Sequence, residues 1–181
     1  INKKNQRNLA NILNNKNHIE QIQSKVDRIK PKYFMTEKEY LKEVGSLKRN
    51  KGKLEWPVNG KIIKKFGKEI NKELRTSTEN PVIEIECAKG SPVMTVMDGI
   101  VSNITFIPGL GNSILINHGN DDATIYSNMD DLIYVSEGQY VDNNFQIGTV
   151  GNDSNDNKGV LKFSIWYKGV AVNPKNWLVK K

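Results

Sequence analysis

Residues 91–107 read SPVMTVMDGIVSNITFI, and residues 112–119 follow as NSILINHG. Val, Ile, Thr and Phe recur there in short runs, each cut by Gly, Asn, Asp or Pro. β-branched and aromatic residues fit a pleated, half-buried surface, and the interrupting residues are turn formers, so each run reads as a strand. The texture extends both ways: VIEIECA at 82–88, ATIYSNM at 123–129, IYVSEG at 133–138, FQIGTVG at 145–151 and VLKFSIWYKG at 160–169. Many short strands with close turn signals predict a mainly β domain, a sandwich or barrel, over residues 54–181. No helical period appears after Leu54, although NPKNWL at 173–178 can make a single turn. GNDSNDNKG at 151–159 reads as a polar loop.

The first 53 residues have a different texture and form a predicted helical arm. Ile12, Ile19 and Val26 alternate with Ile22 and Ile29 at heptad spacing, and Asn8 and Asn15 continue the second core position upstream. This predicts the end of a coiled coil over residues 1–30, with a plain amphipathic helix as the alternative. His18 falls outside the seam and reads as a solvated surface residue. Pro31 ends that helix. Thr36 followed by Glu39 forms a capping box that opens a second helix over about 37–51, ending near Gly52. Its apolar face is Tyr40, Leu41, Val44 and Leu47. A helix of about 14 residues is marginal alone in water, so it is expected to dock on the neighbouring domain.

Charge separates the two parts. The chain carries a net +7, yet residues 1–53 hold 14 basic and 5 acidic residues against 13 and 15 in the remainder. The basic character belongs to the arm, without the aromatic interleaving of a nucleic-acid surface, and no nucleic-acid partner is expected. No run of 18 apolar residues occurs, so no membrane-spanning helix is expected. The chain opens on Ile1, which reads as a partial or processed chain.

Candidate chemistry is sparse. The one cysteine, Cys87, lies in an apolar run and reads as a buried core thiol. His118, the one histidine of the β region, sits where a strand enters a turn and reads as structural. No G-x-S-x-G, H-E-x-x-H or C-x-x-C occurs, and Glu84 and Glu86 on alternate positions of one strand do not make a catalytic pair by themselves. On its residues alone the β region reads as non-catalytic and without a cofactor.

Several phrases taken together resemble the lysostaphin/LytM-type peptidoglycan endopeptidase domains. They are LEWPVNGKIIKKFG at 54–67, KGSPVMTVMDGIVSNI at 89–104, GLGNSILINHG at 109–119, TIYSNM at 124–129, VSEGQYV at 135–141, QIGTVG at 146–151 and VLKFSIWYKGVAVNPKNWL at 160–178. They follow in the family's order. The resemblance implies a zinc site in active members, built from H-x-x-x-D and the second His of H-x-H, with a Y-x-H histidine assisting. The corresponding positions here are Asn80 and Glu84, Val160 and Lys162, and Asn128 after Tyr126. Only Glu84 keeps a ligand type, which makes an all-protein zinc site chemically implausible.

The layout is similar to a degenerate branch of that family, the EnvC-type activators of cell-wall amidases. That resemblance implies a periplasmic, non-catalytic activator whose vacant groove binds a peptidoglycan amidase. The expected groove residues are Asn80, Glu84, Tyr126, Asn128, Val160 and Lys162. It further implies a regulatory helix bearing Tyr40, Leu41, Val44 and Leu47, and a coiled coil that meets a divisome membrane complex; peptidoglycan itself is a possible partner. The alternatives are an active zinc endopeptidase using other ligands and a structural peptidoglycan-binding module.

Overall fold

The computed structural model describes residues 47–71, 75–151 and 158–180. Tyr40, Leu41, Val44 and the expected coiled coil lie outside them. The described residues begin with a 3-10 turn, Leu47–Asn50. The helix expected over about 37–51 is 3-10 and not α over Leu47–Asn50, and its earlier residues lie outside the described ones. Gly52, at φ 78°, supplies the left-handed residue that ends the turn. Leu47 is fully buried in the core of the β domain, and Lys51 lies over the Trp177 ring at 5.5 Å.

The chain then forms β1 (Lys61–Lys64), β2 (Gly67–Asn71), β3 (Thr76–Asn80), β4 (Ile83–Ala88), β5 (Pro92–Met94) and β6 (Gly99–Ile107). It continues through β7 (Gly111–Gly119), β8 (Asp122–Ile133), β9 (Tyr140–Val141), β10 (Gln146–Val150), β11 (Lys158–Tyr167) and β12 (Val170–Val172). A 3-10 turn, Pro174–Asn176, follows, capped by the Asn173 side chain accepting from Lys175 N–H. The main sheet runs in the order β1-β4-β11-β8-β7-β6-β9, with β10 pairing β5 and β8, β12 pairing β11, and β2-β3 standing apart as a hairpin. All the pairings between these strands are antiparallel.

Local residues explain the connections. Asn120 and Asp121 take φ of 54° and 62° between β7 and β8, and Lys168 and Gly169 take 51° and 72° between β11 and β12. Two consecutive residues at positive φ match the right-handed twist of hairpin strands, and Asn, Asp and Gly tolerate that conformation best. Gly60 lets β1 approach β4, because a Cβ there would overlap the Glu86 carbonyl oxygen.

Alternation decides the two faces. In β4, Ile83, Ile85 and Cys87 are buried while Glu84 and Glu86 between them stay partly exposed. In β11, Leu161, Phe163 and Ile165 are fully buried and belong to the core. Ile114, Tyr126, Phe163 and Ile83 form one cross-strand row inside the core, with the Tyr126 and Phe163 rings 5.2 Å apart. The opposite, outer face of the same strands carries the candidate site.

Candidate site on the outer face of β4, β11 and β8

Strand register places Lys64 opposite Glu84, Glu84 opposite Lys162, Lys162 opposite Ser127, and Ser127 opposite Ser113. Directly opposed residues have Cβ atoms about 4.5–5.5 Å apart, so these side chains form one row across β1, β4, β11, β8 and β7. The row rises from a closed floor to an open rim. Ser113 and Ser127 are buried and share a 2.8 Å hydrogen bond. At the other end the Lys64 ammonium lies 4.0 Å from the Glu84 carboxylate and 3.5 Å from that of Glu69.

Lys162 stands at the centre. Its ammonium donates to the Gly109 carbonyl at 3.0 Å, tying β11 to the turn between β6 and β7. The next outer-face row pairs Lys61 with Glu86 and Glu86 with Val160. Lys61 and Lys158 reach the Glu86 carboxylate at 3.1 and 3.3 Å. Hydrogen bonds from these two ammonium groups hold the Glu86 carboxyl below its usual range.

The expected site residues divide. Glu84, Lys162 and Val160 share the outer face of neighbouring strands. Asn128 occupies a bulge in β8 at φ 63° and donates from its side-chain amide to the Val160 carbonyl at 2.7 Å. Asn80 ends β3, where its amide donates to the Lys65 carbonyl at 2.8 Å and its oxygen accepts from Val82 N–H at 3.4 Å. Both ends of that side chain are committed to backbone.

Tyr126 does not belong to the groove. It is fully buried on the core face, and burial pushes its phenol up to about 12. Simple alternation puts Tyr126 and Asn128 on one face. Tyr126 and Ser127 keep strict alternation, core side and Lys162 side, and the β7–β8 register then shifts between Ser113–Ser127 and Asn112–Met129, so the bulge at Asn128 takes that residue off the Tyr126 face.

Sequence reasoning also missed Lys64, Ser127 and the outer-face residue Trp166. For Trp166 a signal existed: Lys162, Ser164 and Trp166 alternate with core Leu161, Phe163 and Ile165. Lys64 had none, because its place depends on the pairing of β1 with β4.

His118 takes no part in this face. It is buried, with Nδ1 2.7 Å from the Asp98 carbonyl and Nε2 2.8 Å from Thr124 Oγ1. Burial depresses its pKa to about 4. Cys87 is a buried thiol that donates to the Gly159 carbonyl at 3.6 Å, and burial raises its pKa.

A family model described as Peptidase family M23 matches residues 78–174. The chain belongs to peptidase family M23. The chain is 29% identical over 143 residues to the murein hydrolase activator EnvC of Escherichia coli (strain K12), covering 79% of this chain and 33% of that protein. It is 32% identical over 127 residues to the murein hydrolase activator NlpD of Salmonella dublin, covering 70% of this chain and 31% of that protein. The chain thus spans about a third of the length of these relatives. The solution structure of lysostaphin superposes with a TM-score of 0.55 at 18% identity, over 68% of this chain and 52% of that one, which shows a shared fold.

The zinc that catalytic members of such a family hold does not fit the side chains here. Zinc takes four ligands drawn from thiolate, imidazole and carboxylate. Among the described residues of this row the groups of that kind are Glu84, set directly against the Lys162 strand position, and Glu69 at the rim, paired with Lys64. The amides of Asn80 and Asn128 are engaged with backbone, and Val160 has no donor atom. Among the described residues, no group of three His, Cys, Asp or Glu is placed to hold a metal ion.

Proposed function

We propose that this chain is a non-catalytic activator that binds and stimulates a peptidoglycan amidase, using the outer face of β4, β11 and β8. The observation that carries the reading is the Lys64–Glu84–Lys162–Ser127 row. Motif order in the sequence matches Lys162 with a zinc-binding histidine of the family, which supports this reading. An ammonium group there opposes a dication electrostatically and offers no lone pair while protonated. A partly exposed row of charges set over buried serines suits recognition of a protein surface. The names of EnvC and NlpD, both murein hydrolase activators, favour an activating role over a hydrolytic one. We further propose a location in the periplasm or cell envelope, which the names EnvC and NlpD support, with residues 1–30 meeting a membrane-bound division complex and 37–51 acting as a latch on the groove.

The experiment is release of dye-labelled fragments from purified peptidoglycan by the chain alone, by an envelope amidase alone and by the two together. The expected result is no release by the chain alone and a rate with both that exceeds the amidase rate. Chelator-sensitive release by the chain alone would sink the proposal.

A further inference from the structure

Beyond Lys162 the outer face changes character. Leu115 stands opposite Ile125, and Ile125 opposite Ser164, in the row next to the charged one. Trp166 follows on β11, and its indole N–H donates to Ser164 Oγ at 3.2 Å, which lays the ring back along the strand toward Lys162. Leu115, Ile125 and Trp166 floor a shallow cavity of about 430 Å³, with Asp121 on its far rim. None of the three belongs to the buried core. The charged end is dominated by cations at its surface. The side chains of Lys61, Lys158 and Lys64 are 75%, 62% and 39% exposed, whereas Glu84 and Glu86 are each 21% exposed beneath them; Glu69, 50% exposed beside Lys64, offsets them in part at the rim. An incoming chain therefore meets ammonium groups first at one end and, at the other, an apolar floor bordered by a carboxylate.

We infer that this face recognises a segment of a partner protein bearing a carboxylate and, about 13 Å away, a large apolar side chain. The spacing follows from the four residues between Lys162 and Trp166 at about 3.3 Å per strand residue. An extended segment meets it over about four residues, and a helix over about two and a half turns. The apolar side chain fills the cavity over Trp166, and the carboxylate reaches Lys162 and Lys64. Asp121 repels a second carboxylate and so fixes the direction in which the segment lies. The exposed lining of the cavity is mainly apolar, with Ser102, Asn117 and Asp121 among its polar groups, which suits a large apolar protein side chain, and soluble glycan strands test the sugar alternative. The inference rests on the activator reading, since it specifies what the amidase presents to this same face.

The test is equilibrium binding of the full chain to a purified envelope amidase over a range of salt concentration, with soluble glycan strands as a second probe. Trp166→Ala and Ile125→Lys remove or block the apolar floor. Lys64→Glu combined with Lys158→Glu reverses the charged end. Thermal unfolding of each variant checks that the fold survives. The expected result is affinity reduced about tenfold or more by either floor variant, with an unchanged salt dependence. The charge variant should lose affinity and lose most of the salt dependence. Amidase binding that neither the floor variants nor the charge variant alters overturns this inference and leaves the activator reading standing. Failure of the unaltered chain to bind the amidase overturns both. Binding of glycan strands that Trp166→Ala abolishes, with amidase binding intact, overturns the protein-segment assignment.

Discussion

Replacing His118 with Gln should change how stability depends on pH, and the hydrogen-bond chain around the ring says by how much. The Asp98 carbonyl can only accept, so His118 Nδ1 carries the proton and Nε2 accepts from the Thr124 hydroxyl. Thr124 Oγ1 then accepts from the Tyr126 hydroxyl at 3.2 Å, and Tyr126 accepts from Val96 N–H at 2.9 Å. Protonating Nε2 reverses the first links. Tyr126, facing the N–H of Val96, is then left with a hydroxyl hydrogen that this chain cannot accept. Burial adds to this and depresses the ring pKa from 6.5 to about 4. Between those values the unfolded chain binds a proton that the folded chain refuses, so stability rises with pH through this window. At about 1.4 kcal/mol per pH unit, His118 costs the fold about 3 kcal/mol on going from neutral pH to pH 4. Asp98 and Asp122, whose carboxyls burial raises, act in the opposite sense, but they are present in both proteins. The assay is urea unfolding of wild type and His118→Gln at intervals from pH 4 to 7.5. At pH 7.5 the variant should be less stable by about 1–3 kcal/mol, from buried polar groups left without partners. The deficit should shrink or change sign toward pH 4. A deficit that stays constant across the range would refute a neutral, buried His118.

Rebuilding the family's ligand set with Asn80→His, Glu84→Asp and Lys162→His should give a chain that binds close to one zinc by elemental analysis, where the unaltered chain binds none; equal zinc in both would show that these positions do not converge. Lys162→Met removes the 3.0 Å bond to Gly109 and should speed amide hydrogen exchange in residues 107–111 while exchange in β4 is unchanged. Cys87 should react with a thiol reagent at least a hundredfold more slowly in the folded chain than in urea, since it is buried and its thiolate is disfavoured. Leu41→Asp with Val44→Asp should raise amidase stimulation if residues 37–51 act as a latch, and unchanged stimulation by a folded variant would leave that segment as scaffold.

The strands were legible because short apolar runs are bounded by turn formers and their alternation is strict, as in Ile83–Ala88. The closing turn at Pro174–Asn176 was legible from Asn173 and Pro174, a side-chain cap followed by a residue with φ already fixed. The pairing of Glu84 with Lys162 was accessible only through motif order, because β4 and β11 lie more than seventy residues apart and neither strand carries a mark of its partner. Tyr126 was misplaced because a bulge has no sharp sequence signature, and one extra residue reverses which side chains face the core. Leu47 was legible as part of an apolar face too short to stand alone in water, and it packs into the core of the β domain as that reading required.

As proposed, the row around Lys162 is a recognition surface and not a catalytic one. Its most direct measure is amidase turnover on labelled peptidoglycan against rising concentration of the unaltered chain and of a Ser127→Arg, Lys162→Glu variant with matched thermal stability. The expected result is stimulation that rises to a plateau with the unaltered chain, little or none with the variant, and no release by either without amidase. Equal stimulation by the variant, or release by the chain alone, contradicts it.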